Sequence, residues 1–505
     1  MTRKSRGRST GASGRRLRSF GPLVVVFTVA LAVLIAALLI HHGPSLRTFS
    51  GGFSGELDPL GFRLQDEQSI ASAAAGGVSH VLYVKSPGGV LASAARTARY
   101  RQVIDAVAAR TREDPATLEA MVFVESAGRP DVIAGPDPAA AAGLAQILAE
   151  TGGNLLGMHV DLRADRKIAR QMRRASKEGR QRTLQRLVSA RRRVDGRFDP
   201  SAAIAGLARY LQIAHARFGR WDLAVVSYHM GIGNLEGVLR AYAGDASGTP
   251  AAKLVKDGGL RYARVYVDST PLHHQAAYRL LARFGDESAN YYWKILAAKQ
   301  IMALFRADQA KLSQLDALHK EKASAEDVLH PASATEIFKD PNALASAVSA
   351  GRLVSIPEDP ARYGFRIDRG MGELAPRLGR QPSLYRSLKP EALRMLAYLA
   401  AGVRAISHQR APLTITSAVR DRAYQRLLIG QDPEATHGYS LHTTGFAFDV
   451  LRRYRNRAQA LALQFMLDRL QALNLIAWVR EPAAIHVTVA GRAHLPSASS
   501  LVRRK

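Results

Sequence analysis

From Leu23 to Ile40 the chain runs for 18 residues without a charge, and Thr28 is the one polar side chain among them. At a helical rise of 1.5 Å per residue the run is about 27 Å long, enough to cross the hydrocarbon core of a bilayer. A helix is the natural form for such a run, because it satisfies its own backbone polar groups in lipid. Arg3, Lys4, Arg6, Arg8, Arg15, Arg16 and Arg18 precede it, with no acid between them. A positive flank of this kind is held on the cytoplasmic side. No small-residue cleavage site follows at His41-His42-Gly43, so the run reads as an uncleaved anchor. Residues 1–20 are then a basic cytoplasmic tail and 21–41 a transmembrane anchor. The remaining chain is expected on the periplasmic or outer side of the cytoplasmic (inner) membrane, single-pass and in contact with membrane lipid.

The remaining length, out of 505 residues, suits several domains of ordinary size. The net charge of +29 points to a polyanionic partner. Export argues against nucleic acid as that partner. The chain has no cysteine, which excludes disulfides, thiolate zinc sites and a cysteine nucleophile.

Residues 42–96 are rich in Gly, Ser and Ala and read as a flexible tether. Residues 97–305 carry helical patterning. Asp114-Pro115, Asp137-Pro138 and Asp199-Pro200 each place a capping carboxylate before a proline suited to a first helical turn. After Asp199, Ile204, Leu207, Leu211, Ala214 and Phe218 form one apolar stripe, which Gly219 ends. Between 161 and 197 there are 14 Lys and Arg against 4 acids. This basic insertion reads either as a solvated helical segment or as a grip on anionic wall polymer or lipid headgroups. A polar connector is expected at 306–345, an α+β domain at 346–495 and a basic tail at 496–505. The short β-rich runs of the last domain are 413–416, 445–450 and 485–489.

In the helix predicted after Asp114, Leu118, Met121, Val122 and Glu125 share one face. Burial and the negative helix end both disfavour a charged carboxylate there, so its pKa should rise into the range of a general acid. Around it stand Glu125-Ser126, Gly143-Leu144-Ala145-Gln146, Asp199-Pro200 with Tyr210-Leu211, and Ser227-Tyr228-His229-Met230-Gly231. In this order the blocks resemble those of the soluble lytic transglycosylases, whose fold is all-α and goose-type lysozyme-like. The resemblance covers about 97–240. It implies that Glu125 protonates the bond between N-acetylmuramic acid and N-acetylglucosamine, then accepts the proton of the muramyl 6-hydroxyl as a 1,6-anhydro end forms. It also implies that Ser126, Gln146, Tyr228 and His229 face the sugars and that no cofactor is needed. His229 stands where the family has Asn, and Ala145 where it has Met. A hydrolytic muramidase is the alternative reading.

A second constellation lies in the last domain. Strand alternation puts Asp449 opposite Phe448 and Val450, and His486 opposite Ile485 and Val487. With His442 they make two imidazoles and a carboxylate, a ligand set that suits Zn²⁺ and leaves a position open. The run Ser440-x-His442-x-x-Gly445-x-Ala447-x-Asp449 resembles the zinc D-alanyl-D-alanine carboxypeptidases and related endopeptidases over about 385–490. That resemblance implies an α+β zinc peptidase-like fold that trims or cleaves stem peptides, with Arg420 facing the substrate. The family's usual base position holds Ala483, which leaves Glu481 as the nearby candidate. A domain that binds stem peptide without cutting it is the alternative. The sequence as a whole is therefore expected to be a multidomain peptidoglycan-remodelling enzyme acting on glycan strands and stem peptides.

Overall fold

In the computed structural model, residues 59–322, 324–432 and 435–491 are described. The expected cytoplasmic tail, the anchor, the first part of the tether and the C-terminal tail lie outside them. Among the described residues no helix is long and apolar enough to cross a membrane. The chain is mostly helical, with a small sheet towards its C-terminal end.

Two of the three Asp-Pro pairs open helices as expected. Asp114 accepts the Ala116 amide and starts the helix Pro115–Ser126. Asp199 accepts the Ala202 amide and starts Pro200–Phe218, which Gly219 ends in the left-handed region. The third pair does not open a helix. Asp137 accepts the Ala139 amide in a turn, and the chain then folds back through bridges pairing Ala142 with Ile133 and Ile147. Tertiary bonding overrides the local signal here. The Arg197 guanidinium is fully buried, paired with Asp195 at 2.6 Å, and donates to the carbonyls of Pro138, Ala140 and Ile147. Gly143 fits because it has φ +76° and a Cβ there would lie 1.7 Å from the Arg197 carbonyl oxygen.

The tether reading fails for its described part. Glu67–Lys85 (α1) and Val90–Ala98 (α2) are helices, and Ile70, Ala74 and Val90 are fully buried. Small residues that look like linker composition here let two helices approach closely. A Cβ on Gly77 would lie 2.3 Å from the Gln471 carbonyl oxygen and 2.5 Å from that of Ala472. Both carbonyls belong to the end of the helix Arg457–Ala472. Nearby, the buried Arg469 guanidinium donates to the carbonyls of Pro59, Tyr266, Val267 and Ser269. One apolar core runs from the helical part into the sheet, including Trp293 and Leu312 as well as Phe448 and Val487.

The expected connector is also structured. Gln309–Glu321 and Glu326–Leu329 are helices, and Leu312 is fully buried. Pro341–Ser349 is a helix that crosses the expected domain boundary.

The strands are β1 (Val354–Ser355), β2 (Phe365–Ile367), β3 (Ser387–Leu388), β4 (Leu413–Ser417), β5 (Ala447–Leu451), β6 (Ile476–Arg480) and β7 (Ala484–Val489). β1 and β3 make a small antiparallel pair. The main sheet has the order β2-β4-β5-β7-β6, antiparallel except for the β2–β4 pair. The register of β5 on β7 sets Asp449 directly opposite His486. Such a pair shares one face of the sheet, with Cβ atoms roughly 5 Å apart.

Candidate functional site

Two groups of chemically capable side chains can be built up from these elements. The first begins with Glu125, one residue from the end of the helix that Asp114 opens. The side chain is half-buried. Burial pushes its carboxyl up to about 7, against opposing effects of the Tyr291 hydrogen bond and the Lys294 charge. The Tyr291 O–H donates to Glu125 Oε1 at 2.5 Å. That leaves Oε2 as the oxygen able to carry a transferable proton. Among the described residues, the charge that shifts Glu125 is the Lys294 ammonium, and no second carboxylate is among the causes of its shift.

Tyr291 opens the helix Tyr291–Ala307 and is buried. The Tyr228 ring stacks on it at 6.4 Å between centroids and the His229 ring at 5.2 Å. Tyr228 O–H donates to the Ala145 carbonyl at 2.5 Å and so ties the loop that holds Gln146 to this cluster. His229 Nδ1 lies 3.0 Å from Ser288 Oγ, and burial lowers its pKa. Gln146 has φ +48° and donates from Nε2 to the carbonyls of Gly143 and Val132. Ser126 is not brought into the group: it is buried and its hydroxyl bonds back to the Val122 carbonyl. Tyr291 was not among the expected site residues. Its one sequence signal is the aromatic run Tyr291-Tyr292-Trp293.

The second group lines a cavity of about 550 Å³ that includes His442, Asp449, His486, Arg420, Glu481 and Glu326. The ligand atoms of His442, Asp449 and His486 all lie within 4.8 Å of one another, and the three residues are buried. The hydrogen bonds define their protonation. His442 Nδ1–H donates to the Ala418 carbonyl at 2.7 Å. Burial and the Arg420 charge lower the His442 pKa to about 4, so its ring is neutral and Nε2 carries a lone pair. That lone pair faces Asp449 Oδ2 at 3.1 Å. Burial favours the neutral carboxyl, but the histidine bonds and charges around Asp449 hold it ionised, well below the usual carboxylate range. Two acceptors thus face each other in a buried site, an arrangement that a bound cation relieves. Two imidazoles and a carboxylate, with no thiolate, fit Zn²⁺.

His486 adds its Nδ1, 2.9 Å from Asp449 Oδ1. Its other nitrogen, Nε2, faces Thr488 Oγ1 at 3.1 Å and Glu326 Oε2 at 3.3 Å. Glu326 lies in the segment read as a connector and was missed. Burial opposes its charge, but His486 and Lys322 outweigh this and bring its pKa down to about 2. Burial opposes a charge on His486, but its bonds to Asp449 and Glu326 and their charges raise its pKa to about 10, so both ring nitrogens carry protons. A cation at the cluster would displace the Nδ1 proton while Nε2–H stays on Glu326, as at metal sites whose histidines lean on an outer carboxylate. No local pattern marks Glu326, because its partner lies 160 residues further on.

Arg420 is held by Ser417 Oγ at 2.7 Å and Gln425 Oε1 at 3.1 Å, and its Nη2 reaches Asp449 Oδ2 at 3.5 Å. Glu481 and Ala483 line the same cavity from the turn between β6 and β7. The Glu481 charge acts on Arg420. Compared with protein-family models and with curated proteins, the chain matches none.

Proposed function

We propose that this chain is a membrane-anchored peptidoglycan-remodelling enzyme with two sites. One cuts glycan strands at Glu125, and the other cleaves or trims stem peptides beside His442, Asp449 and His486. The observation that carries the first half is the environment of Glu125. A lone carboxyl held near pH 7 by burial, with Tyr291 on one oxygen, suits a single group that serves first as acid and then as base. Most glycosidases use two carboxylates; here the nucleophile would come from the sugar. Glu125 would pass its Oε2 proton to the glycosidic oxygen as that oxygen leaves the anomeric carbon. The muramyl 6-hydroxyl oxygen would bond to that carbon, and its proton would return to Glu125. The order of the sequence blocks around Glu125 supports the same chemistry.

The peptide half rests on the buried His-Asp-His cluster. His442 Nε2, an Asp449 oxygen and His486 Nδ1 would hold Zn²⁺, which supplies Lewis acidity at a peptide carbonyl when bound. The chain's own groups divide the remaining work. Arg420 presents guanidinium N–H groups to a substrate carboxylate or carbonyl. Glu481, which lines the cavity, would take and return a proton there. Glu326 orients His486 from outside. Glu326→Ala is therefore expected to weaken zinc affinity by about 10–100-fold, measured by competition with a chelating dye. Glu326→Gln keeps an acceptor for Nε2–H and should lose less. Unchanged affinity in Glu326→Ala would remove that orienting role.

The two sites can be tested separately on the intact chain acting on insoluble peptidoglycan. Glu125→Gln should stop release of glycan fragments and leave peptide trimming unchanged. His442→Ala should do the reverse. Loss of both activities in either variant, with folding intact, would overturn the two-site reading.

A further inference from the structure

The basic insertion folds as a hairpin of two helices, Leu162–Lys177 and Gln181–Val194. Its base is fastened to the rest of the chain. Asp161 caps the first helix, and its amide donates to the Val194 carbonyl. Arg191 pairs with the fully buried Asp165 at 2.6 Å and lies over the Phe198 ring. Beyond this base the two helices carry charge outward.

Arg163, Arg166, Lys167, Arg170, Arg173, Arg174 and Lys177 are all exposed. Their spacing, 3 and 4 residues with neighbours, confines them to one face of the first helix over about 21 Å. The opposite face carries Asp165, Ile168, Met172 and Ala175, which are buried or half-buried. Among the described residues only Arg166, at 3.6 Å from Asp137, and Arg174, at 3.0 Å from Glu178, have an acid partner in this stripe. On the second helix, the exposed Arg182, Arg186 and Arg193 form another line. Like charges at helical spacing repel, so the folded hairpin holds a row of cations of which, among the described residues, only Arg166 and Arg174 are compensated.

We propose that the stripe from Arg163 to Lys177 is a docking face for a linear, phosphate-type polyanion lying along the helix. Charge complementarity names the class, and the rest of the hairpin narrows it. There is no aromatic residue between 162 and 194, so there is no platform for stacking bases as single-stranded nucleic acid requires. None of the large hydrophobic side chains that are exposed lies in the hairpin, so it has no apolar anchor of the kind that interfacial membrane helices use. A single extended chain with charges a few ångströms apart matches a row of this width and length. This inference rests on neither the glycan reading nor the metal reading.

The test uses the full-length chain in nonionic detergent and end-labelled, long-chain inorganic polyphosphate, with binding followed by anisotropy across a salt series. A Lys167→Gln, Arg170→Gln, Arg173→Gln variant should bind at least about tenfold more weakly at low salt. Its log–log salt slope should fall by about two, at roughly 0.7 per lost phosphate contact on a single-stranded polymer. A control with Arg279, Arg377 and Arg410 changed to Gln removes the same charge from exposed positions elsewhere and should stay within about twofold of the parent. Equal losses in the two variants would overturn the proposal. So would stripe-dependent binding to micelles doped with phosphatidylglycerol in the absence of polyphosphate binding.

Discussion

Glu125→Gln is expected to lower glycan cleavage by about 10²–10⁴-fold, the range in which a positioned acid/base contributes. Glutamine keeps the oxygen that accepts from Tyr291, so the local fold should persist while the proton is lost. Retention of more than about a tenth of the parent activity would contradict the role. The pH dependence has a definite sign. Burial raises the Glu125 carboxyl from 4.5 to about 7, so the protonated acid is present below pH 7 and disappears above it. Cleavage at saturating substrate should therefore fall as pH rises through 7. The same shift acts on stability. Below the ordinary carboxyl value both the folded and unfolded states are protonated, and Glu125 carries no penalty. As pH rises from 4.5 towards 7 the unfolded chain ionises first, so folding loses free energy, and the loss levels off above 7. Glu125→Gln removes this penalty. It should raise the unfolding free energy at pH 8 by roughly 2–3 kcal/mol, allowing for the partial exposure of the group, and leave it nearly unchanged at pH 4.

His442→Ala is expected to reduce bound zinc from about one per chain to nearly none. Three protein ligands are the usual complement of an open zinc site, and the loss of one leaves Asp449 and His486 to hold the ion alone. The measurement is metal content after dialysis against a weak chelator, with helical content by circular dichroism as the folding control. A zinc-free parent chain would refute the site. Glu481→Gln should keep the zinc and lose peptide cleavage, which separates the ion-holding residues from the proton-carrying one. Retained cleavage would return the base to another group.

How much of this was legible beforehand depended on how far apart the partners lie. Asp114 and Asp199 act on amides two and three residues away, and both helix starts were readable. Asp449 and His486 lie on strands whose alternation is plain, so their shared face could be read before their register was known. Ser126 followed its neighbour Glu125 in the block but turns into its own helix. Tyr291 and Glu326 come from segments with no motif. They reach their partners, Glu125 and His486, only through packing of elements more than 150 residues apart. The helix at 67–85 was hidden for a different reason. Alanine and glycine, which suggest a linker, are there the residues that allow close backbone approach to Gln471 and Ala472. Asp137-Pro138 misled because Arg197 claims the carbonyls that a helix would have used.

The chemistry proposed at Glu125 leaves a mark on every product. When the muramyl 6-hydroxyl closes on the anomeric carbon, no water is added, so each new glycan end is one water lighter than the end made by hydrolysis. The direct measurement is the mass spectrum of fragments that the purified full-length chain releases from insoluble peptidoglycan, compared with those from Glu125→Gln. Anhydro-ended fragments that vanish in the variant are the predicted result. Fragments with water-added ends, or anhydro ends that persist without Glu125, would contradict it.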